Sequence, residues 1–217
     1  MKRCLIVFAK EPVRGKVKTR LNGYLSGEEC LNLYKAFLKD TIELAKKIKC
    51  ENKILAYDSS KSPELLKEFS GKFSLYKQKG RNLGHRMHNA FEYATKRKAD
   101  KIIIIGSDTP TLPVSFIERA FEHLDRFDVV LGPSRDGGYY LIGLKKPCLG
   151  IFRGIKWSTE SVLKNTTRNI QNLKKNIVLL EEWYDVDERR SLMRLKQDLK
   201  KEKDKSVAQW TRRFLKI

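Results

Sequence analysis

The sequence predicts an α/β fold: three layers, with an open, mostly parallel sheet in the middle and helices on both faces. Three observations predict it. Short apolar runs alternate with longer segments whose apolar residues recur at spacings of three and four, the pattern of strands interleaved with amphipathic helices. One run holds four consecutive isoleucines, Ile102 to Ile105, and a strand apolar at every position is buried on both faces, as in the centre of a parallel sheet. That run breaks into Gly106-Ser107-Asp108-Thr109-Pro110, so polar chemistry begins where such sheets bind ligands, beyond the carboxyl ends of their strands.

The elements follow in order. Residues 5–9 are the first buried strand, and a basic loop runs from Lys10 to Arg20. Residues 27–49 form a helix whose inner face carries Leu31, Tyr34, Leu38, Ile42 and Ala45. A second strand spans 53–57. Ser62-Pro63 reads as an N-cap followed by proline at the first helical position, opening a short helix to residue 69. A third strand spans 73–76, and a helix over 84–97 turns Met87, Phe91 and Ala94 inward. After the isoleucine strand come a helix at 114–124, a strand at 128–131, a strand at 139–144, a helix from Trp157-Ser158-Thr159 to about residue 174, and a strand at 177–180. The end is helical, first from Glu188 and then in a segment where Val207, Trp210 and Phe214 share a face. No linker or repeat interrupts this order, and 217 residues suit a single domain over 1–217.

Composition narrows the function classes. Hydrophobic residues make up 41% of the chain, enough for a core, yet no run approaches the roughly 20 apolar residues of a membrane span. The opening MKRCLIVFAK lacks a small-residue cleavage site and continues directly into EPVRGKVKTR, so it reads as a strand of a cytoplasmic protein rather than a signal peptide. The cysteines Cys4, Cys30, Cys50 and Cys148 have neither C-x-x-C spacing nor neighbouring histidines at ligand spacing, which excludes a disulfide framework or a zinc site. The net charge of +20 favours phosphorylated substrates and polyanions. It is spread over helical faces without a basic arm, so specific nucleic-acid binding is not expected.

Four motifs carry the chemistry. The loop at 8–21 sets Lys10, Arg14, Lys16, Lys18 and Arg20 around Pro12 and Gly15, at a strand end where a nucleotide's phosphates would lie. Lys18-Thr19 imitates the end of a P-loop, but the required preceding glycine is Val17, and a merely solvated basic loop remains the alternative. Asp108 leaves the isoleucine strand at its carboxyl end, as a hard-oxygen ligand for Mg²⁺ or Mn²⁺ or as a turn cap before Pro110. Asp136-Gly137-Gly138-Tyr139-Tyr140 pairs a carboxylate for base work or acceptor positioning with glycines that let something approach the backbone closely; a hairpin turn is the competing reading. One of the two tyrosines, Tyr139, faces the site and the other the core. Asp185 and Asp187, two apart in an extended stretch, share a face and complete a metal site begun by Asp108, unless Asp187 simply caps the next helix. Among lesser features, Trp157 is placed to cover a substrate, Arg86 to meet phosphate, and His85 and His88 share a helix face without a third metal ligand.

In this order the motifs resemble a bacterial transferase family associated with radical-SAM and selenium-domain clusters, commonly described as glycosyltransferase-like. It lies in the nucleotide-diphospho-sugar transferase superfamily, of GT-A fold, with phospholactate guanylyltransferase and the molybdenum-cofactor nucleotidyltransferases as more distant relatives. The family's Pro-x-x-Gly-x-x-Lys-Thr-Arg-Leu loop stands here as Pro12, Gly15, Lys18, Thr19, Arg20 and Leu21. Its Gly-Ser-Asp-x-Pro stretch is Gly106 to Pro110, and its Asp-Gly-Gly-Tyr-Tyr-Leu-Ile-Gly stretch is Asp136 to Gly143. The Trp-Ser-Thr and Asp-Val-Asp segments are also present. The resemblance implies a nucleotide held by the first loop, a metal on Asp108 and Asp187 as second metal carboxylate. Two departures stand out. Arg81-Asn82-Leu83-Gly84-His85-Arg86 replaces Gly-Asp-Leu-Gly-Glu-Arg, losing two acids. Glu188-Arg189-Arg190-Ser191-Leu192 replaces Thr-Pro-Glu-Asp-Leu, so a metal site there rests on Asp185 and Asp187.

The expectation is therefore a metal-dependent transferase with Mg²⁺ or Mn²⁺, a nucleotide or nucleotide-sugar donor and a small-molecule acceptor. Glycosyl transfer is the main reading and nucleotidyl transfer to a phosphorylated acceptor the alternative. A basic nucleic-acid-binding protein with a degenerate site is the rival from another class. The expected site has Asp108 and Asp136 in catalysis; Lys10, Pro12, Gly15, Lys18, Arg20 and Arg86 on the nucleotide; Gly137, Gly138, Tyr139 and Trp157 on the acceptor; and Asp108, Asp185 and Asp187 on the metal. The sequence leaves room for a homo-oligomer.

Overall fold

The computed structural model describes residues 1–59 and 63–217. Seven strands form one sheet: β1 (Arg3–Lys10), β2 (Asn52–Asp58), β3 (Ser74–Lys77), β4 (Lys101–Gly106), β5 (Val129–Pro133), β6 (Tyr139–Leu144) and β7 (Ile177–Leu179). Their spatial order is β3-β2-β1-β4-β6-β5-β7. Neighbours pair in parallel except at β6, which runs antiparallel to both β4 and β5. The main helices are α1 (Gly27–Lys47), α2 (Glu64–Ser70), α3 (Leu83–Lys96), α4 (Val114–His123), α5 (Val162–Asn172), α6 (Arg189–Lys201) and α7 (Gln209–Leu215). The proposed N-cap Ser62 lies outside the described residues; Pro63 occupies the cap position of α2.

Strand alternation builds a core on each face of the sheet. Leu5 and Val7 of β1, with Ile103 and Ile105 of β4, pack on one side against α1, α2 and α4. Cys4, Ile6, Ile102 and Ile104 pack on the other against α3 and α5. All four isoleucines are buried, which is the physical content of an uninterrupted apolar strand. A third cluster joins the outer face of α1, through Leu33 and Phe37, to α6 through Leu192, Leu195 and Leu199. Val207 and Phe214 lean on this cluster, but Trp210 does not share their role: its ring carries the ammonium of Lys39, 4.5 Å from the centroid.

Local signals fix the helix starts. Ser26 caps α1, accepting from the Glu29 amide at 3.2 Å, while the Glu29 side chain accepts from the Ser26 amide at 2.7 Å. This capping box satisfies two otherwise orphaned N–H groups. Asn82 caps α3 by accepting from the His85 amide at 3.0 Å. Among the described residues, no helix is long and apolar enough to cross a membrane.

The topology dictates where a ligand can sit. From β1 the chain steps outward to β2 and β3, then returns to place β4 on the opposite side of β1. The strand order reverses between β1 and β4, and the crevice at such a switch point is the usual ligand site of open α/β sheets. Lys10 ends one strand and Gly106 the other, so the basic loop and the segment that carries Asp108 both begin at this crevice.

Candidate active site

A cleft of about 1310 Å³ opens at this switch point. One wall is the basic loop, with Lys10, Lys16, Lys18, Thr19 and Arg20; opposite stand Asp136, Gly138, Tyr139 and Trp157, and then Asp185 and Asp187. Tyr34 of α1 holds the two strand ends together. Its hydroxyl accepts from the Lys10 amide at 2.7 Å, donates to the Lys10 carbonyl at 3.0 Å and shares a hydrogen bond with Ser107 at 3.2 Å. The 183–187 stretch is tied to the β4 end by the Val186 amide, which donates to the Asp108 carbonyl at 3.0 Å.

Lys18 is the hub. Its side chain is 2% exposed, and its ammonium donates to the Val186 carbonyl at 2.9 Å and to Asp187 Oδ1 at 3.0 Å while also pairing with Asp108. Burial works against its charge, but the carboxylates of Asp108 and Asp187 outweigh that and hold its pKa above the usual lysine value. Burial likewise pushes Asp187 upward, yet the Lys18 ammonium beside it, helped by Arg20 and Lys10, keeps its carboxyl below the ordinary range. Asp185 behaves in the opposite way. Burial first, then the neighbouring charges of Asp108, Asp136 and Asp187, raise its pKa to about 7. Ser134 donates to it at 3.2 Å. Four carboxylates thus share one region, and at Asp185 burial and like charge outweigh the opposing pull of Lys18.

That concentration of acid bears on the implied metal. Among the described residues, no three carboxylate, imidazole or thiolate side chains are grouped tightly enough to hold an ion by themselves. The expected trio of Asp108, Asp185 and Asp187 therefore does not form a ready-made cage, because Lys18 occupies the space between two of them and Asp185 is turned to Ser134. Two convergent carboxylates, each about 40% exposed, do fit an ion that draws its other ligands from phosphate oxygens and water, the habit of Mg²⁺.

The remaining expected residues divide. Asp136 is exposed and lines the cleft, but one oxygen accepts from the Gly138 amide at 2.9 Å, so the turn reading and the site reading hold together. Tyr139 lines the cleft, while Tyr140 is core, its hydroxyl donating to the Glu181 carbonyl at 2.9 Å. Trp157 forms a wall, its ring packed near Phe152 and Gly84. Four assignments change. Arg86 does not line the cleft; it pairs with Asp58 at the end of β2, at 2.5 Å. Pro12 is buried and also lies outside the lining. Gly15 is required by its φ of +76°, not by close approach, since nothing lies within 4 Å of the place a Cβ would take. At Gly137 something does approach the backbone, but it is the main chain of Glu160 rather than a ligand. Asp187 is not the cap of α6 either. Glu188 takes that position, with the Ser191 hydroxyl accepting from its amide at 3.1 Å, which leaves the Asp187 side chain to Lys18.

Sequence reading missed several residues of the site. Tyr34, buried behind the cleft, shows only as a helix core position, and nothing local marks its hydroxyl. Arg135, next to Asp136, and Arg190 and Arg194, one turn apart on α6, line the cleft. The four-residue spacing of the last two was the available signal. Arg135 is paired with Glu182 at 2.8 Å and Arg194 with Asp198 at 3.4 Å.

Residues 41–159 match the family model described as an uncharacterized protein conserved in bacteria, DUF2064. The chain belongs to the DUF2064 family. This DUF2064 chain is 31% identical over 163 residues to 2-phospho-L-lactate guanylyltransferase of Methanocaldococcus jannaschii, covering 74% of this chain and 66% of that one. It is 31% identical over 135 residues to the enzyme of the same name from Methanobrevibacter smithii, covering 59% of this chain and 56% of that one. It thus spans less than two thirds of the length of these curated relatives. A provisionally named nucleotide-diphospho-sugar transferase from Desulfovibrio desulfuricans has the same fold, with a TM-score of 0.92 and 30% identity over 100% of this chain and 95% of that one. The GT-A-like, nucleotide-diphospho-sugar transferase type of fold expected from the sequence is the fold observed.

Proposed function

We propose that this protein is a nucleotidyltransferase, joining a nucleoside monophosphate from a nucleoside triphosphate to a small phosphorylated acceptor. The observation that carries the reading is the cleft itself: a basic loop and a pair of carboxylates facing each other at the β1–β4 switch point. The guanylyltransferase relatives support this alternative over the glycosyl transfer that the sequence first suggested. The named sugar-nucleotide transferase of the same fold keeps glycosyl transfer as the competitor to be tested. The relatives named above do not bear on the radical-SAM association.

In the proposed reaction an oxygen of the acceptor's phosphate attacks the α-phosphorus of the donor. The bond between that phosphorus and the α–β bridging oxygen breaks, and pyrophosphate leaves with the electron pair. Lys10, Lys16 and Arg20 stand where the triphosphate enters, and fixed cations in a crevice stabilise the charge that grows on the leaving oxygens. Asp108 and Asp187 would hold the divalent ion, Mg²⁺ or Mn²⁺, whose contribution is to neutralise phosphate charge as a Lewis acid. Arg135, Arg190 and Arg194 line the cleft beyond Asp185 and draw the anionic acceptor towards it. Tyr139 and Trp157 give its carbon skeleton an apolar shelf. Asp136 orients the acceptor.

The test supplies GTP or CTP with Mn²⁺ and 2-phospho-L-lactate as the probe acceptor, and measures pyrophosphate. Acceptor-dependent pyrophosphate release is expected. Release of a nucleoside diphosphate from a nucleotide sugar, with no pyrophosphate from any triphosphate, overturns the reading in favour of glycosyl transfer.

A further inference from the structure

Lys18 is a buried lysine whose backbone is left-handed, with φ 51° and ψ 33°, a region L residues with long side chains seldom enter. That backbone turns the side chain inward, past the ring of Phe37, whose centroid lies 5.0 Å from Nζ. An ammonium has three protons to donate, and three acceptors surround this one: the Val186 carbonyl, Asp187 and Asp108. The lysine has no proton left for a phosphate oxygen while these contacts stand. The two carboxylates, by contrast, remain accessible to solvent, 39% and 41% exposed, and Asp187 lines the cleft. The cation reaches them from inside the protein, and a ligand would reach them from the cleft.

A divalent ion arriving alone would meet a carboxylate pair already neutralised in part, with a positive charge held between its members. Like charges a few ångströms apart repel strongly where water is sparse. An ion arriving with a triphosphate brings negative oxygens that the metal and the ammonium can share, and the repulsion is relieved. We propose that Lys18 is the resident counter-ion of the Asp108–Asp187 pair and makes metal binding there conditional on phosphate: it excludes a lone divalent ion and passes one or more of its hydrogen bonds to phosphate oxygen when metal and nucleotide enter together. Lys18 is on this view a positioning residue that sets the order of binding as well as a phosphate contact. The inference rests on the proposed nucleotide reading only for the identity of the phosphate donor.

The experiment titrates Mn²⁺ alone into the full chain and follows the free aqua-ion by electron paramagnetic resonance. Wild type, Lys18→Met and the double variant Lys18→Met/Asp108→Asn are compared. Lys18→Met is expected to bind Mn²⁺ at least ~10-fold more tightly than wild type, a difference of about 1.4 kcal/mol, and the double variant is expected to lose that gain. A merely structural lysine would weaken metal binding when removed, not strengthen it. In a second arm, a non-hydrolysable nucleoside triphosphate should raise the Mn²⁺ affinity of wild type more than that of Lys18→Met. Equal Mn²⁺ affinity in the two proteins, or tighter binding by wild type, overturns the proposal. If Lys18→Met does not fold, Lys18→Gln replaces it with the same expected gain and the same overturning result. The first arm contains no nucleotide, so it reports on Lys18 even if the chain transfers no nucleotidyl group; failure of pyrophosphate release in wild type would count against the function alone.

Discussion

Replacing Tyr34 by phenylalanine removes one oxygen and leaves the ring in place. That oxygen serves three partners: the Lys10 amide at 2.7 Å, the Lys10 carbonyl at 3.0 Å and Ser107 at 3.2 Å. Tyr34 is 2% exposed and Ser107 3% exposed, so water cannot readily take over. The Lys10 amide left without an acceptor costs about 1–2 kcal/mol, and the weakened carbonyl and Ser107 contacts add about 0.5–1 kcal/mol each. The variant no longer buries a hydroxyl, which offsets a part. The net loss is about 2–3 kcal/mol, or a melting temperature lower by about 5–10 °C for a chain of this size. Urea unfolding should show a lower midpoint at unchanged slope. Triphosphate binding should weaken as well, because the hydroxyl fixes Lys10 against the β4 end that leads to Asp108. A loss of stability below about 0.5 kcal/mol with unchanged triphosphate binding would refute the claim that Tyr34 staples the two strand ends.

Two further outcomes follow from the site. Gly137→Ala must hold a left-handed φ of +83° and push its Cβ into the main chain of Glu160; a loss of about 3 kcal/mol is expected from the strain and the displacement together, measured by urea unfolding, and a neutral substitution would show that the two segments are not packed as described. Asp185 has a folded-state pKa raised from 3.8 to about 7, so the fold favours its protonated form: its contribution is fully present below the unfolded pKa and is lost as pH rises through about 7. Asp185→Asn should therefore gain on wild type by about 4 kcal/mol between pH 4 and pH 8, read from urea midpoints at both values, and parallel pH profiles would contradict the assignment.

Much of this could be read from the chain without its fold. Ile102 to Ile105 announce a strand buried on both faces because side-chain alternation is a two-residue rule that any short window displays. Leu31, Tyr34, Leu38, Ile42 and Ala45 announce α1 for the corresponding reason at helical period. The crevice position of the basic loop and of Asp108 followed once strands and helices alternated, since a parallel sheet presents its loops at one edge. Asp185 and Asp187 were expected on one face, and both line the cleft with Val186 buried between them.

Other features needed the tertiary structure. Lys18 and Asp187 are separated by 169 positions, and no local periodicity relates them; only the packing of α6 and the 183–187 stretch against the basic loop brings the ammonium to both carboxylates. The same holds for Tyr34, whose helical position marks it as core while its hydroxyl works at two strand ends. Gly137 and Gly15 look alike in sequence, yet one avoids a collision with Glu160 and the other only supplies a positive φ. Arg86 and Arg20 are equally basic, but the pitch of α3 carries Arg86 to Asp58 and away from the cleft. The sequence by itself determined the sheet, its buried centre and the crevice that opens on it, because short-range burial patterns encode them. Which cations and carboxylates meet in that crevice was decided by contacts between segments far apart in the chain, and those exist only once the layers have packed.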